Sequence, residues 1–131
     1  MFSALLITGG VIADVDGVYH SAEVFLPFTS TSCKLPGMVF ERYGHTLDNL
    51  LACGGCCVDT GYGEFRNCEE FSPATGLWTN TFHTLQEERY GHVSWSVEEG
   101  TLLMGGDSGY TSEIVKHDGT TETSFDMRSL T

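Results

Sequence analysis

The phrase Leu5-Leu6-Ile7-Thr8-Gly9-Gly10 returns as Leu50-Leu51-Ala52-Cys53-Gly54-Gly55, and again as Leu102-Leu103-Met104-Gly105-Gly106. A second phrase interleaves with it: Glu41-Arg42-Tyr43-Gly44-His45-Thr46 recurs as Glu88-Arg89-Tyr90-Gly91-His92-Val93. Repeats spaced by roughly 45–50 residues confine a chain to solenoids, propellers or arrays. Each unit is too small to bury its own apolar face and must stack on a neighbour.

Read through this repeat, the strands follow from turn residues and short apolar runs. In the middle unit they are expected at Tyr43–Leu47, Leu50–Gly54, Cys68–Phe71 and Leu77–Phe82, with turns at Asp48-Asn49 and Ser72–Gly76. The last unit repeats this at Tyr90–Val97, Leu102–Gly105, Glu113–Lys116 and Thr121–Met127. The first unit has no first strand and reads Ala4–Gly9, Ala22–Leu26 and Ser32–Leu35. The match of Leu5–Gly10 to the later copies makes the N-terminus a strand rather than a signal peptide, for which it also lacks a basic flank. Sixteen glycines among 131 residues fit turn-rich β-structure.

Four short strands per unit at this period is the signature of a propeller blade. At this point the sequence resembles the kelch-repeat β-propeller family, whose blades also occur in galactose-oxidase-type central domains. The resemblance rests on the glycine pairs Gly9/Gly10, Gly54/Gly55 and Gly105/Gly106, and on Phe25-Leu26-Pro27 and Phe71-Ser72-Pro73. It rests also on Trp78 and on the Arg-x-Gly-His entries Arg42/His45 and Arg89/His92. Phe25, Phe71 and Val115 stand where the family usually carries Tyr. The resemblance implies an all-β, partial propeller of four-stranded antiparallel blades. Blade 1 is expected at about 4–36 without its innermost strand, blade 2 at about 41–83 and blade 3 at about 88–127.

Five cysteines, at 33, 53, 56, 57 and 68, point to an oxidising compartment. We expect the extracellular space or secretory pathway, with the cytoplasm as the alternative. Cys53 and Cys56 have C-x-x-C spacing, but no second pair completes a zinc set, so disulfides with one spare thiol are expected and no metal. Aligning units on the glycine pair places Cys33 at the position of Trp78, and Cys53 at that of Met104. If Trp78 packs against the second strand of the next blade, a Cys33–Cys53 bridge is the same contact. The remaining bridge joins Cys68 to Cys57, or to Cys56.

Eighteen acidic against 6 basic residues give a net charge of -12. Nucleic acid, which needs a basic footprint, is excluded on this ground. Anionic membrane surfaces are disfavoured, and no apolar run reaches the roughly 20 residues of a membrane helix. A basic protein partner fits, as does plain solubility.

No catalytic constellation assembles. Recurrence of Arg42/His45 and Arg89/His92 at one place in two units argues for a structural task, such as binding backbone carbonyls. Asp14-Val15-Asp16-Gly17 lacks the later ligands of a calcium loop and reads as a turn. The loops after each second strand share a face with the links between units. That face carries Tyr19, Tyr62, Phe65 and Tyr110 amid acidic residues, and is the expected binding surface for a protein partner. The expected function is therefore a cofactor-free, non-enzymatic interaction scaffold. The alternatives are part of a galactose-oxidase-like copper enzyme or of a carbohydrate-binding propeller. Closed propellers have about 4–8 blades, so the chain is expected to be a piece of a larger ring, or to self-associate to close one.

Overall fold

A computed structural model describes residues 4–12, 17–56, 65–85, 87–98, 100–106, 114–117 and 122–125. The described residues hold strands and turns and no helix. Sheet I contains β1 (Leu5–Thr8), β4 (Ala22–Leu26) and β5 (Thr31–Leu35) in that order. β2 (Val11–Ile12) and β3 (Gly17–Val18) form a separate two-stranded ribbon between β1 and β4, where the sequence reads as loop. Sheet II runs β6 (Thr46–Asp48), β7 (Leu51–Cys53), β8 (Asn67–Ser72), β9 (Leu77–Thr84). Sheet III runs β10 (Val93–Val97), β11 (Gly100–Met104), β12 (Ile114–His117), β13 (Glu122–Phe125). Among the described residues every pairing is antiparallel between strands consecutive within their sheet, and no sheet closes into a barrel.

The strand-one expectations begin too early. Tyr43 makes only an isolated bridge to Cys56, and the ladder starts at Thr46. Asp48 pairs with Leu51, so the hairpin turn is Asn49-Leu50, both at positive φ (47° and 66°). Two left-handed residues match the twist of a two-residue hairpin.

Side chains alternate between faces along a strand, and register sorts sheet II into two. Ala52 pairs with Glu69 and Phe71 with Trp78, placing Ala52, Leu47, Phe71 and Trp78 on one face. These pack with Leu6, Ala22, Leu35 and Met38 of sheet I and its following link. Phe71 and Trp78 rings lie 5.4 Å apart, and burial of each contributes on the order of 2–3 kcal/mol. The opposite face carries Leu51, Cys53 and Cys68, which pack with Leu85 and with Leu103 of sheet III. Each sheet thus has a preceding-side and a following-side face, and cores form between sheets.

This register overturns the expected cysteine pairing. Cys53 and Cys68 are direct cross-strand partners, 4.2 Å apart at Cα, and are bonded to each other. That excludes Cys33–Cys53 and any bridge from Cys68 to Cys57 or Cys56; Cys57 itself lies outside the described residues. Cys33 is free and exposed, and Cys56 is half-buried. Trp78 also faces the preceding sheet rather than the next one, so no Trp78–Met104 contact exists to copy. The cause is a one-residue slip. Phe25 pairs with Ser32 as Phe71 pairs with Trp78, so Ser32, not Cys33, holds the Trp78 position. The connection from Gly54 to Phe71 is one residue longer than that from Gly9 to Phe25. A count carried from the glycines therefore lands on the wrong face.

Candidate functional site

The link from β5 to β6 and the link from β9 to β10 enter their sheets through the same contacts. Gly9 and Gly54 have φ near +65° (63° and 69°), a left-handed backbone that glycine adopts without the cost a Cβ imposes. A Cβ on Gly9 would stand 2.4 Å from the Arg42 carbonyl oxygen and 2.6 Å from His45 Cε1. On Gly54 it would stand 2.5 Å from the Arg89 carbonyl oxygen and 2.8 Å from His92 Cε1. The following glycine amides, Gly10 and Gly55, donate to those carbonyls at 3.1 and 2.7 Å. Gly91 N–H donates to the Gly44 carbonyl at 2.7 Å, and the Tyr43 and Tyr90 rings meet edge-on at 6.4 Å.

Side chains complete each joint. Arg42 Nη1 donates to the Gly54 carbonyl at 2.6 Å, and Arg89 Nη1 to the Gly105 carbonyl at 2.8 Å. His45 Nε2 shares a hydrogen bond with Thr8 Oγ1 (2.8 Å), and His92 Nε2 with Thr46 Oγ1 (2.9 Å). Burial, then the neighbouring arginine (Arg42 for His45, Arg89 for His92), lowers both imidazoles to a pKa of about 4. Both rings are therefore neutral at pH 7.

The first joint has an element with no counterpart among the described residues of the second. Glu69, fully buried on β8, accepts from Arg42 Nη2 at 2.5 Å and from the Val39 and Phe40 amides at 2.5 and 3.1 Å. Its position in sheet III belongs to Val115, since Cys53–Cys68 corresponds to Met104–Ile114. Glu69 was not singled out by sequence reasoning. Its signal was present: it stands two residues before Phe71, hence on the same inward face.

Glu69 holds Val39 and Phe40 by their backbones, and their side chains turn outward, 56% and 37% exposed. Tyr19, 43% exposed, lies alongside, because its carbonyl accepts from Arg42 N–H at 3.3 Å. Phe65 sits half-buried, with the Phe40 ring at 5.9 Å and the Arg42 guanidinium 5.2 Å from its centroid. His20 and Glu41 face each other at 3.8 Å in solvent, and Glu87 and Glu88 are also exposed. Tyr19 and Phe65 thus share one patch; Tyr62 and Tyr110 lie outside the described residues. Val39 and Phe40 join the patch as additions. They are an apolar pair in a link, a pattern the repeat alignment passed over. Among the described residues no group of three or more His, Cys, Asp or Glu is gathered for a metal.

No family model matches the chain, and no curated protein does. A solved structure titled "Structure of YjhT" superposes with a TM-score of 0.75 at 16% identity, over 96% of this chain. The chain spans about half of that structure's length (50%). The likeness supports the fold.

Proposed function

We propose that the three sheets are blades of a kelch-like propeller scaffold, and that the chain binds a protein partner through the patch of Tyr19, Val39, Phe40 and Phe65. The observation that carries this reading is the exposure of Tyr19, Val39 and Phe40 on a backbone pinned from beneath by Arg42 and Glu69. Rigid, exposed aromatics are what interface anchors require, because little entropy is lost on docking. Glu41, Glu87, Glu88 and the net charge of -12 favour a basic partner. The Cys53–Cys68 bridge is compatible with work outside the cytosol.

Selection of a displayed peptide library on the oxidised chain should enrich basic peptides with an apolar residue. Tyr19→Ala with Phe40→Ala should weaken the selected peptides by about tenfold or more. Selected peptides that bind the double variant as well as the parent would remove this face from consideration.

A further inference from the structure

The internal joints define what a free sheet face lacks. Between sheets II and III, Asp48 of the following-side face accepts from Thr101 Oγ1 of the preceding-side face at 3.1 Å. Beside it, Cys53 packs in one cluster with Leu103. Two faces of the molecule have no sheet against them among the described residues: the preceding side of sheet I and the following side of sheet III.

Register assigns equivalents on both. Val93 pairs with Met104 as Thr46 pairs with Cys53, so Trp95 stands at the Asp48 position and Met104 at the Cys53 position. Counting back from the first glycine of each pair, Leu5 stands at the Thr101 position and Ile7 at the Leu103 position. The polar Asp48–Thr101 contact thus becomes Trp95 against Leu5, and Cys53–Leu103 becomes Met104 against Ile7. Polar groups have been exchanged for apolar ones on both free faces, at positions that would meet. The exposures agree: Val93 57%, Trp95 66% and Val97 37% on one face, Leu5 55% and Ile7 42% on the other. Contiguous exposed apolar surface of this kind marks an interaction site. Gly105 keeps its left-handed φ of 66°, yet among the described residues nothing lies within 4 Å of where its Cβ would be, unlike Gly9 and Gly54.

We infer that the following-side face of sheet III docks on the preceding-side face of sheet I of a second copy, and that two such joints close a head-to-tail pair. A self-complementary chain of this kind needs one surface to match another surface of the same molecule, and here the two match position by position. Two copies together also amount to the length of the solved structure that this chain half covers. This inference stands apart from the loop-face reading and uses none of its residues.

The test is solution mass by sedimentation of the full chain across micromolar concentrations, for wild type, Trp95→Asp and Leu5→Asp. Each substitution sits on an exposed side chain, and circular dichroism checks the fold. The expected result is the mass of two chains for wild type and of one chain for each variant. An equimolar mixture of the variants retains one intact joint and should return to two chains, with at least tenfold weaker affinity. Higher salt should tighten the wild-type pair, because two chains of net charge -12 repel. A wild type of single-chain mass at every concentration would overturn the proposal. So would pairing that survives Trp95→Asp, a mixture that stays single, or growth beyond two chains.

Discussion

Arg42 and Glu69 meet at 2.5 Å with neither side chain exposed to solvent, joining the link before sheet II to its third strand. The pair does more than neutralise itself. Arg42 also reaches the Gly54 carbonyl, and Glu69 also accepts two backbone amides. A buried ion pair is weak evidence of net stabilisation, but removing one partner strands the other charge. Glu69→Ala should therefore lower unfolding free energy by about 3–5 kcal/mol. Arg42→Met with Glu69→Ala should lose clearly less than the sum of the two singles. Urea unfolding of the double-mutant cycle measures this; additive losses would mean the two residues act independently.

Gly54 and Gly105 share nearly the same φ, 69° and 66°, but among the described residues only Gly54 is crowded. Alanine at Gly105 should therefore show the backbone penalty alone, about 1–2 kcal/mol. Alanine at Gly54 must also displace the Arg89 carbonyl and the His92 ring, and should lose at least about 2 kcal/mol more. Equal midpoint shifts in urea for the two variants would show that the joint yields without strain.

The glycine pairs were legible in the sequence because their requirement, left-handed backbone without a Cβ, is met by one residue type. The antiparallel strands were legible for a similar reason, since Asn49, Gly76 and the Ser72-Pro73 turn punctuate them locally. What failed was non-local. Whether Trp78 faces backward or forward depends on parity along a strand, and one added residue between Gly54 and Phe71 reverses it. Cys33 was misplaced by that single step. Glu69 and Glu70 look alike in sequence, yet register buries the first and exposes the second. The Val39-Phe40 patch depends in turn on Glu69, and so was hidden with it.

The Cys53–Cys68 bridge closes a loop of 15 residues between β7 and β8. Constraining a loop of that length should stabilise the fold by about 3 kcal/mol. Reduction, or Cys53→Ala with Cys68→Ala, should lower the urea midpoint correspondingly. Cys33→Ser, at an exposed free thiol, should change stability by less than about 0.5 kcal/mol. Peptide mapping under oxidising conditions should recover Cys53 linked to Cys68; recovery of a Cys33–Cys53 peptide would contradict the register described here.

His45 and His92 tie both joints to pH. Their imidazoles titrate near 4 when folded, against an ordinary value of 6.5, because burial and then a neighbouring arginine disfavour the cation. Between those values the unfolded chain binds a proton at each histidine and the folded chain does not, so unfolding becomes more favourable as pH falls. The stabilising contribution is fully present above pH 6.5 and is lost progressively on acidification towards 4. Each histidine contributes at most about 3 kcal/mol to that loss, less where water reaches the ring. Denaturation measured from pH 7.5 to 4.5 should show a falling midpoint, and His45→Gln with His92→Gln should flatten that slope while lowering stability at pH 7.5. An unchanged slope in the double variant would mean that carboxylates alone govern the acid response and that the histidine joints stay intact when charged.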